Sequence, residues 1–513
     1  MTVEQTAHET DSKDPRRWRA LSVLALVQFM LVLDITVVNV ALPDIAKDLK
    51  SSFSDLQWVV DAYALSLAAL LLTAGSLSDL FGRKRIFVTG LVLFTLASLL
   101  CGLARGPLFL EIARGLQGVG GAAMFATSLA LLAASFQGKA RGTAFGIWGA
   151  TTGAAVAVGP LVGGLLTEQV SWQSIFFINV PIGVIAVLSA SRYLGESKGP
   201  AAGIDVPGLV TFSAGLFFLI FALVRGNTEG WSSPLIVGFL AAAAVLLPAF
   251  VVLETRRAQP MLDLSLFRKP AFTGAAIAAF GLSASMFAMF LYLTLYIQLV
   301  LGFKPLDAGL RFLPITLLSF FVAPVAGRLS ERMPVRYLLG GGLGLVGLGL
   351  LLMRGLDAGS QWTALLPGFI VAGAGIGMVN PPLASTAIGV VEARRSGMAS
   401  GINTTFRQVG IATGIAALGA VFQTSLQHKL PGGPPGEVLA GAGPAVLGPG
   451  RRIEFLTAYT SALNELLLIT GIVALAAAVA AGVLVRPQDF VAHGAPEGAG
   501  GHEPEGAGQP AGA

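Results

Sequence analysis

Stretches of roughly twenty mostly apolar residues recur from about residue 19 to residue 485, separated by short polar connections. A helix of that length crosses the ~30 Å hydrocarbon core of a bilayer, and each such helix satisfies its own backbone hydrogen bonds in lipid. The chain therefore reads as an all-α membrane protein. Charged residues make up 12% of the sequence, about half the ~25% of a soluble domain. The net charge of +5 is small and its positive residues sit in short connections, so no nucleic-acid partner is expected. Cys101 is the single cysteine, which excludes an intramolecular disulfide. Residues 1–14 are polar and the first apolar run is long enough to span, so no cleaved signal peptide is expected.

Fourteen spans are expected. They lie near 19–42, 56–78, 86–104, 108–134, 141–167, 174–194, 206–225, 233–253, 272–300, 308–329, 336–354, 362–388, 397–424 and 462–485. With the N-terminus placed in the cytoplasm, 21 of the 33 lysines and arginines fall in cytoplasmic segments, nine fall outside, and Arg114, Arg311 and Arg407 fall within spans. That bias predicts a multi-pass protein of the cell (inner) membrane with both termini cytoplasmic. The stretch 425–461 is expected to be an outer loop, and the Gly/Pro-rich tail a disordered segment.

The chain repeats itself. "GSLSDLFGRKR" (Gly75 to Arg85) follows the second span and "GRLSERMPVR" (Gly327 to Arg336) follows the tenth. Two six-helix bundles are expected, at 1–200 and 266–490. Two inserted helices occupy 201–265 between them, and the disordered tail is 491–513. Duplicated halves around a central site are a common transporter plan.

Charges inside the spans carry the functional signal, because a carboxylate at mid-bilayer costs about 2.5 to 3.5 kcal/mol on insertion scales. Asp34 stands in "LVLDITVVNVALP", nine residues before Pro43, about 13 Å from the outer end of its helix. Asp61 lies seven residues after Ser54, and Arg114 seven after Pro107, each roughly 10 Å deep on the same side. If their helices face one hydrated cavity, Arg114 offsets the two acids. A change in that environment would then let a carboxyl take up and release a proton. A purely structural Asp34–Arg114 pair is the alternative. All four histidines lie in tails or a loop, so the carboxyls are the proton-handling candidates. Candidate cargo contacts are Phe29, Met30, Phe290 and Tyr292, whose adaptable or aromatic side chains suit apolar ligands, with Asn403 and Arg407 as polar groups in the thirteenth span. A stripe of small or kinking residues runs through the fifth span: Gly142, Gly146, Gly149, Gly153, Ala157, Pro160 and Gly164. It allows close helix contact on one face.

These residues resemble a known family. "LDITVVNVALP", "GSLSDLFGRKR", "RGLQGVGGAA" (Arg114 to Ala123), "GPLVGG" (Gly159 to Gly164) and "WQSIFFINVPIG" (Trp172 to Gly183) occur in order at successive spans. Together they are similar to the fourteen-span drug:proton antiporters of the major facilitator superfamily, which include quaternary-ammonium and multidrug exporters. Ala155 stands where that family usually has glycine. The resemblance implies a proton-coupled exporter of lipophilic, cationic small molecules working by alternating access. It implies a conformational latch at Gly75, Asp79, Gly82, Arg83 and Arg85, and an antiporter motif at Gly159, Pro160, Gly163 and Gly164. The expected partners are a lipophilic small molecule, protons and the bilayer. No cofactor or metal is expected. A dedicated exporter of one metabolite or self-made antibiotic is the alternative within this class, and a non-coupled receptor or channel the alternative outside it. A nucleotide-driven pump or enzyme lacks support, because no GxxxxGK[ST] loop, metal cluster or nucleophile elbow occurs.

Overall fold

A computed structural model describes residues 15–136, 138–198, 205–257, 262, 264–330, 332–391, 396–430 and 448–489. Among them there are helices and short connections and no strand. The first six long helices are α1 (Pro15–Leu49), α2 (Phe53–Phe81), α3 (Arg83–Gly102), α4 (Pro107–Ser135), α5 (Gly138–Gln169) and α6 (Asn179–Tyr193). Then come α7 (Val206–Glu229), α8 (Pro234–Arg256) and α9 (Pro270–Val300). The last are α10 (Leu313–Leu329), α11 (Val335–Leu352), α12 (Leu366–Gly389), α13 (Ser396–Lys429) and α14 (Pro449–Leu484).

Local sequence explains the boundaries. Ser52 and Asp55 form a reciprocal capping box that starts α2: the Asp55 amide donates to Ser52 Oγ at 3.2 Å and the Ser52 amide to Asp55 Oδ2 at 2.7 Å. Gly82 breaks α2 from α3 at φ +112°, a backbone conformation that glycine alone adopts without strain. Proline opens α4, α7, α8, α9 and α14, where its missing amide proton is no loss. Two π-helical turns, Ser283–Phe287 and Tyr296–Val300, interrupt α9, a feature frequent at functional sites.

Among the described residues, eleven helices are long and apolar enough to cross a membrane, or twelve when the bent pair Pro305–Arg311 and α10, inclined at 42°, counts as one. The fourteen expected spans are thus matched in eleven or twelve cases by length and composition. The long helices α2 and α5, of 29 and 32 residues, are the expected spans that do not meet that measure. The outer-loop expectation for 425–461 is corrected at both ends: α13 continues to Lys429 and α14 begins at Pro449. Apolar periodicity carries each helix past the point where polar residues thicken. The expected disordered tail, 491–513, lies outside the described residues.

Helices α1 to α6 pack on one another, chiefly α2 and α3 on α4, and α1 on α5. Helices α9 to α14 form a second group, with α10 and α11 on α12, and α11 on α14. Helices α7 and α8 pair, and α7 lies against both α2 and α13. The groups meet along α2 with α13 and along α5 with α10 and the turn before it. Arg19 stacks on Tyr193, and Asp489 accepts the Ala271 amide at 3.0 Å, at the end of the bundle where α1 and α9 begin, here the terminal end. At the opposite, far end, Trp172 Nε1 donates to Asp48 at 2.8 Å.

The bundles close on each other toward the far end. Gln298 Nε2 donates to the Val40 carbonyl at 2.7 Å, and Gln57 Nε2 to the Ile415 carbonyl at 3.2 Å. Gln423 donates to Gln57 at 3.4 Å. Glu168 accepts the Leu306 amide at 3.3 Å and lies 3.6 Å from Lys304 Nζ. Missing side chains allow the helices to touch. A Cβ on Gly164 would lie 2.6 Å from Leu306 Cα, and one on Gly309 would overlap the Pro160 carbonyl.

Candidate functional site

Asp34 and Arg114 meet. Asp34 Oδ2 accepts from Arg114 Nη1 at 2.7 Å, and Asp34 Oδ1 accepts from both Gln117 Nε2 and Asn179 Nδ2 at 2.8 Å. Three donors on one acidic side chain suit an ionised carboxylate, which only accepts. Arg114 also donates to the Gln117 side-chain oxygen at 2.6 Å and to the Val59 carbonyl at 3.0 Å, and its guanidinium lies 4.3 Å over the Tyr63 ring. Ser98 ties Gln117 and Asn179 together, accepting from them at 2.8 and 3.4 Å. Five helices of one bundle thus build a cage whose charges are compensated internally.

This corrects one expectation. Asp34 is 1% exposed and faces no hydrated cavity in this conformation, its carboxylate enclosed by Arg114, Gln117 and Asn179. Asp61, expected at the same depth beside Arg114, lies elsewhere. It is 0% exposed and, among the described residues, neither carboxyl oxygen has a hydrogen-bond partner. Its helix face points at the seam between bundles: Gln57, one turn before it, reaches the Ile415 carbonyl, which also accepts from Tyr292 Oη at 2.8 Å. Depth along a helix placed the three groups together; rotation about the helices separates Asp61 from the pair.

A small cavity of about 20 Å³ opens between α1, α5, α9 and α10. Its polar lining comes from Thr36, Asn39, Thr294 and Thr316. Phe287, Phe290 and Phe312 supply aromatic faces, and Val40 and Pro160 complete the wall. Phe290 is at the cavity, whereas half-buried Phe29 is not among its lining residues. Met30 and Tyr292 are corrected. Met30 is 0% exposed in the core of the first bundle, one helical step of 100° away from Phe29. Tyr292 is 0% exposed and held by Ile415 on another face of α9. Arg407 reaches α9, its guanidinium carbon 5.9 Å from the Phe287 ring centroid, while the buried Asn403 Nδ2 has no partner.

The glycines of α5 face two ways. A Cβ on Gly163 would lie 2.9 Å from the Val37 carbonyl, and one on Gly159 would overlap the Thr36 side chain, so both press α5 onto α1. Pro160 and Gly164 press it onto the segment before α10. Gly153 lies nearest Phe320 of α10. What Gly142, Gly146, Gly149 and Ala157 pack against lies outside the described residues.

At the terminal end, Gly82 and the basic triplet are braced by a residue that sequence reading missed. Glu196 accepts the Lys84 amide at 3.0 Å and lies 3.8 Å from Arg85 Nε. The Arg83 amide donates to the Ser197 carbonyl at 2.9 Å, and Ser78 Oγ to the Gly75 carbonyl at 2.7 Å. A carboxylate at the first turn of α3 is favoured by the helix dipole. The Asp79 side chain lies outside the described residues. Gln117, Asn179 and Ser98 were also missed. Gln117 carried a usable signal, standing three residues after Arg114 and so on the same helix face. Glu196 carried none, lying beyond its helix in an otherwise polar connection. Among the described residues no group of His, Cys, Asp and Glu is placed to hold a metal.

Comparison with known proteins gives the context of this arrangement. The Major Facilitator Superfamily sequence profile matches residues 24–415. The chain is 37% identical over 418 residues to "Multidrug resistance protein Stp" of Mycobacterium tuberculosis (strain CDC 1551 / Oshkosh), covering 81% of this chain and 78% of that protein. It is 38% identical over 415 residues to "Puromycin resistance protein pur8" of Streptomyces alboniger, covering 80% and 82%. To the "Probable actinorhodin transporter" of Streptomyces coelicolor (strain ATCC BAA-471 / A3(2) / M145) it is 38% identical over 421 residues, covering 79% and 72%. A solved structure of a bacterial homolog of the human lysosomal transporter Spinster, inward-facing and unoccupied, shares the fold. Its TM-score is 0.65 at 17% identity, covering 94% of this chain and 100% of that one.

Proposed function

The chain belongs to the Major Facilitator Superfamily, and on that premise we propose that it is a proton-coupled antiporter that exports lipophilic small molecules by alternating access. The observation that carries this reading is Asp61. A carboxyl with 0% exposure and no hydrogen-bond partner sits at the seam where the two bundles must part. An uncompensated carboxylate there would cost several kcal/mol, so in this closed-seam conformation Asp61 carries a proton. Opening the far-end seam exposes Asp61 to outer water for proton uptake; after the seam closes, the proton is released toward the terminal end as cargo binds. The proton is thereby exchanged only as the bundles move, which is what coupling requires.

In this scheme Asp34 and Arg114 hold α1, α2 and α4 in register as one rigid body, and Asp34 exchanges a proton only if the cage opens. The rigid bodies are residues 1–200 and 266–490, with the 201–265 helices set beside the seam, and all fourteen long helices span. The terminal end is cytoplasmic, by the charge bias of the connections. The Gly82 turn, with Gly75, Asp79, Arg83 and Arg85, latches that end in the opposite conformation. Gly159 and Gly163 fix α5 to α1, while Pro160 and Gly164 form the sliding contact.

A dedicated exporter of one compound is the second reading. It is favoured by a small cavity with few polar groups. Both readings meet the same test. Purified protein in liposomes with an imposed pH gradient should accumulate a lipophilic tracer only while the gradient lasts. A screen of cations, neutral drugs and anions distinguishes the two readings by the number of tracers moved. Tracer movement indifferent to the gradient overturns both.

A further inference from the structure

Gln57 stands between Asp61 and the far end of the molecule. It precedes Asp61 by four residues on α2, which places it on the same helix face about 6 Å nearer that end. Its head crosses to the other bundle. Nε2 donates to the Ile415 carbonyl at 3.2 Å, and Oε1 accepts from Gln423 Nε2 at 3.4 Å. Ile415, Gly419 and Gln423 are spaced four residues apart and so form one row on α13. The middle position of that row has no side chain, and Gln57 fills the space: a Cβ on Gly419 would overlap the Gln57 amide. In this seat the glutamine is 1% exposed.

Toward the terminal end the same seam is apolar. Leu65 and Ala68, one and two turns past Asp61, cluster with Ala412 and Ala416 of α13 and with Leu216 and Ile220 of α7. Asp61 is thus buried between an apolar floor and the Gln57 amide. Other ties at the far end hold other helices: Gln298 joins α9 to α1, and Glu168 of α5 meets Lys304 before α10. Water entering along α2 from the far side therefore meets Gln57 before it meets Asp61. A neutral amide suits a contact that must break in every cycle. Its hydrogen bonds are exchanged for bonds to water at modest cost, whereas parting a buried ion pair strands two charges.

We propose that Gln57 is the far-side gate of the Asp61 proton site and that Gly419 is the notch that seats it. This rests on the reading of Asp61 as the proton carrier. Gln57 acts through Asp61 and is a positioning residue. While the seam is closed, its seated amide keeps outer water from the carboxyl. When the bundles part, the amide leaves the notch and Asp61 exchanges with the far side. When they close, the amide seats again, so the proton can leave only toward the terminal end.

The test reads access and coupling separately. For access, Asp61→Cys in a Cys101→Ala background is labelled with a membrane-impermeant methanethiosulfonate applied from the far side. Adding Gln57→Ala should accelerate labelling about tenfold, as expected from losing hydrogen bonds across the seam. Gly419→Ala should also accelerate it, because the new Cβ meets only the Gln57 head and displaces it. In the Gln57→Ala background the notch is already vacant, so Gly419→Ala should change labelling by less than about twofold. No acceleration by Gln57→Ala, or equal acceleration by Gly419→Ala in both backgrounds, overturns the gate. If Gln57→Ala fails to insert, unchanged labelling in Gly419→Ala alone overturns it. For coupling, chains with native Asp61 are placed in liposomes with an imposed pH difference and no cargo. Gln57→Ala should dissipate that difference at least about threefold faster than the native chain, and adding Asp61→Asn should remove the excess. An excess leak that survives Asp61→Asn overturns the proposal, because Gln57 would then seal the seam and not the carboxyl. The expected labelling pattern without any excess leak would leave the gate standing and refute Asp61 as the proton carrier.

Discussion

Substituting Gly164 with alanine tests whether the far-end seam separates during the transport cycle. In the closed seam a Cβ at that position would sit 2.6 Å from both Leu306 Cα and the Pro305 carbonyl oxygen, where ordinary contact begins at 3.4 Å. The overlap of about 0.8 Å is against backbone, which cannot rotate away, so the bundles must separate locally or strain. Overpacking of this kind costs about 1 to 3 kcal/mol. If the seam opens in the other conformation, the cost falls on one state only. The helix-propensity gain from glycine to alanine applies to both states and cancels. The equilibrium should therefore move toward the far-open state by about 5- to 150-fold. Gln423→Cys in a Cys101→Ala background reports the change, because Gln423 hydrogen-bonds across the seam to Gln57. Labelling with a membrane-impermeant maleimide applied from the far side should accelerate by that factor. Gly163→Ala is the control: its Cβ meets Val37 of the same bundle at 2.9 Å, so it should lower stability without changing labelling. Unchanged labelling in Gly164→Ala, or equal acceleration in both variants, would refute a seam that opens there.

Asp34→Asn removes one partner of a buried ion pair and leaves Arg114 uncompensated. Thermal melting in detergent should show a loss of about 3 to 5 kcal/mol, and a melting curve like the native one would mean that the cage is not structural. Gly82→Ala forces a Cβ to 2.7 Å from the Glu196 carboxyl at a φ of +112°. It should slow turnover in liposomes more than it weakens cargo binding, whereas a pure binding defect would count against a latch at that turn. Glu196→Gln keeps the acceptor for the Lys84 amide but loses the charge near Arg85. Its effect should be small, about 1 kcal/mol or less as for other exposed ion pairs, and a collapse in yield would contradict that.

Depth was legible in the sequence because a helix rises by a fixed amount per residue, and that alone sets Asp34 level with Arg114. Rotation was not, so Asp61 was grouped with a pair that it does not join. The same loss of rotation placed Met30 beside Phe29 as a cavity residue, although adjacent helical residues point about 100° apart. Neutral polar residues were harder still. Gln117 and Asn179 supply two of the three donors to Asp34, yet an amide in an apolar span lacks the charge that singled out Asp34 and Arg114. The small-residue stripe of α5 indicated close packing but not its partners: Gly159 and Gly163 belong to α1, while Gly164 belongs to the other bundle. The polar stretch 425–461 was misjudged because α13 and α14 continue beyond the apolar windows that define a span.

Simultaneous recording of cargo movement and internal pH in liposomes carrying native protein or Asp61→Asn tests the coupling claim most directly. Asn is isosteric with the protonated carboxyl, and Asp61 makes no hydrogen bond to lose, so the variant should fold and bind cargo as the native protein does. The account predicts that native protein exchanges protons for cargo in step, and that Asp61→Asn neither moves cargo against a gradient nor dissipates the pH difference. Proton-linked accumulation at the native rate in Asp61→Asn would contradict it.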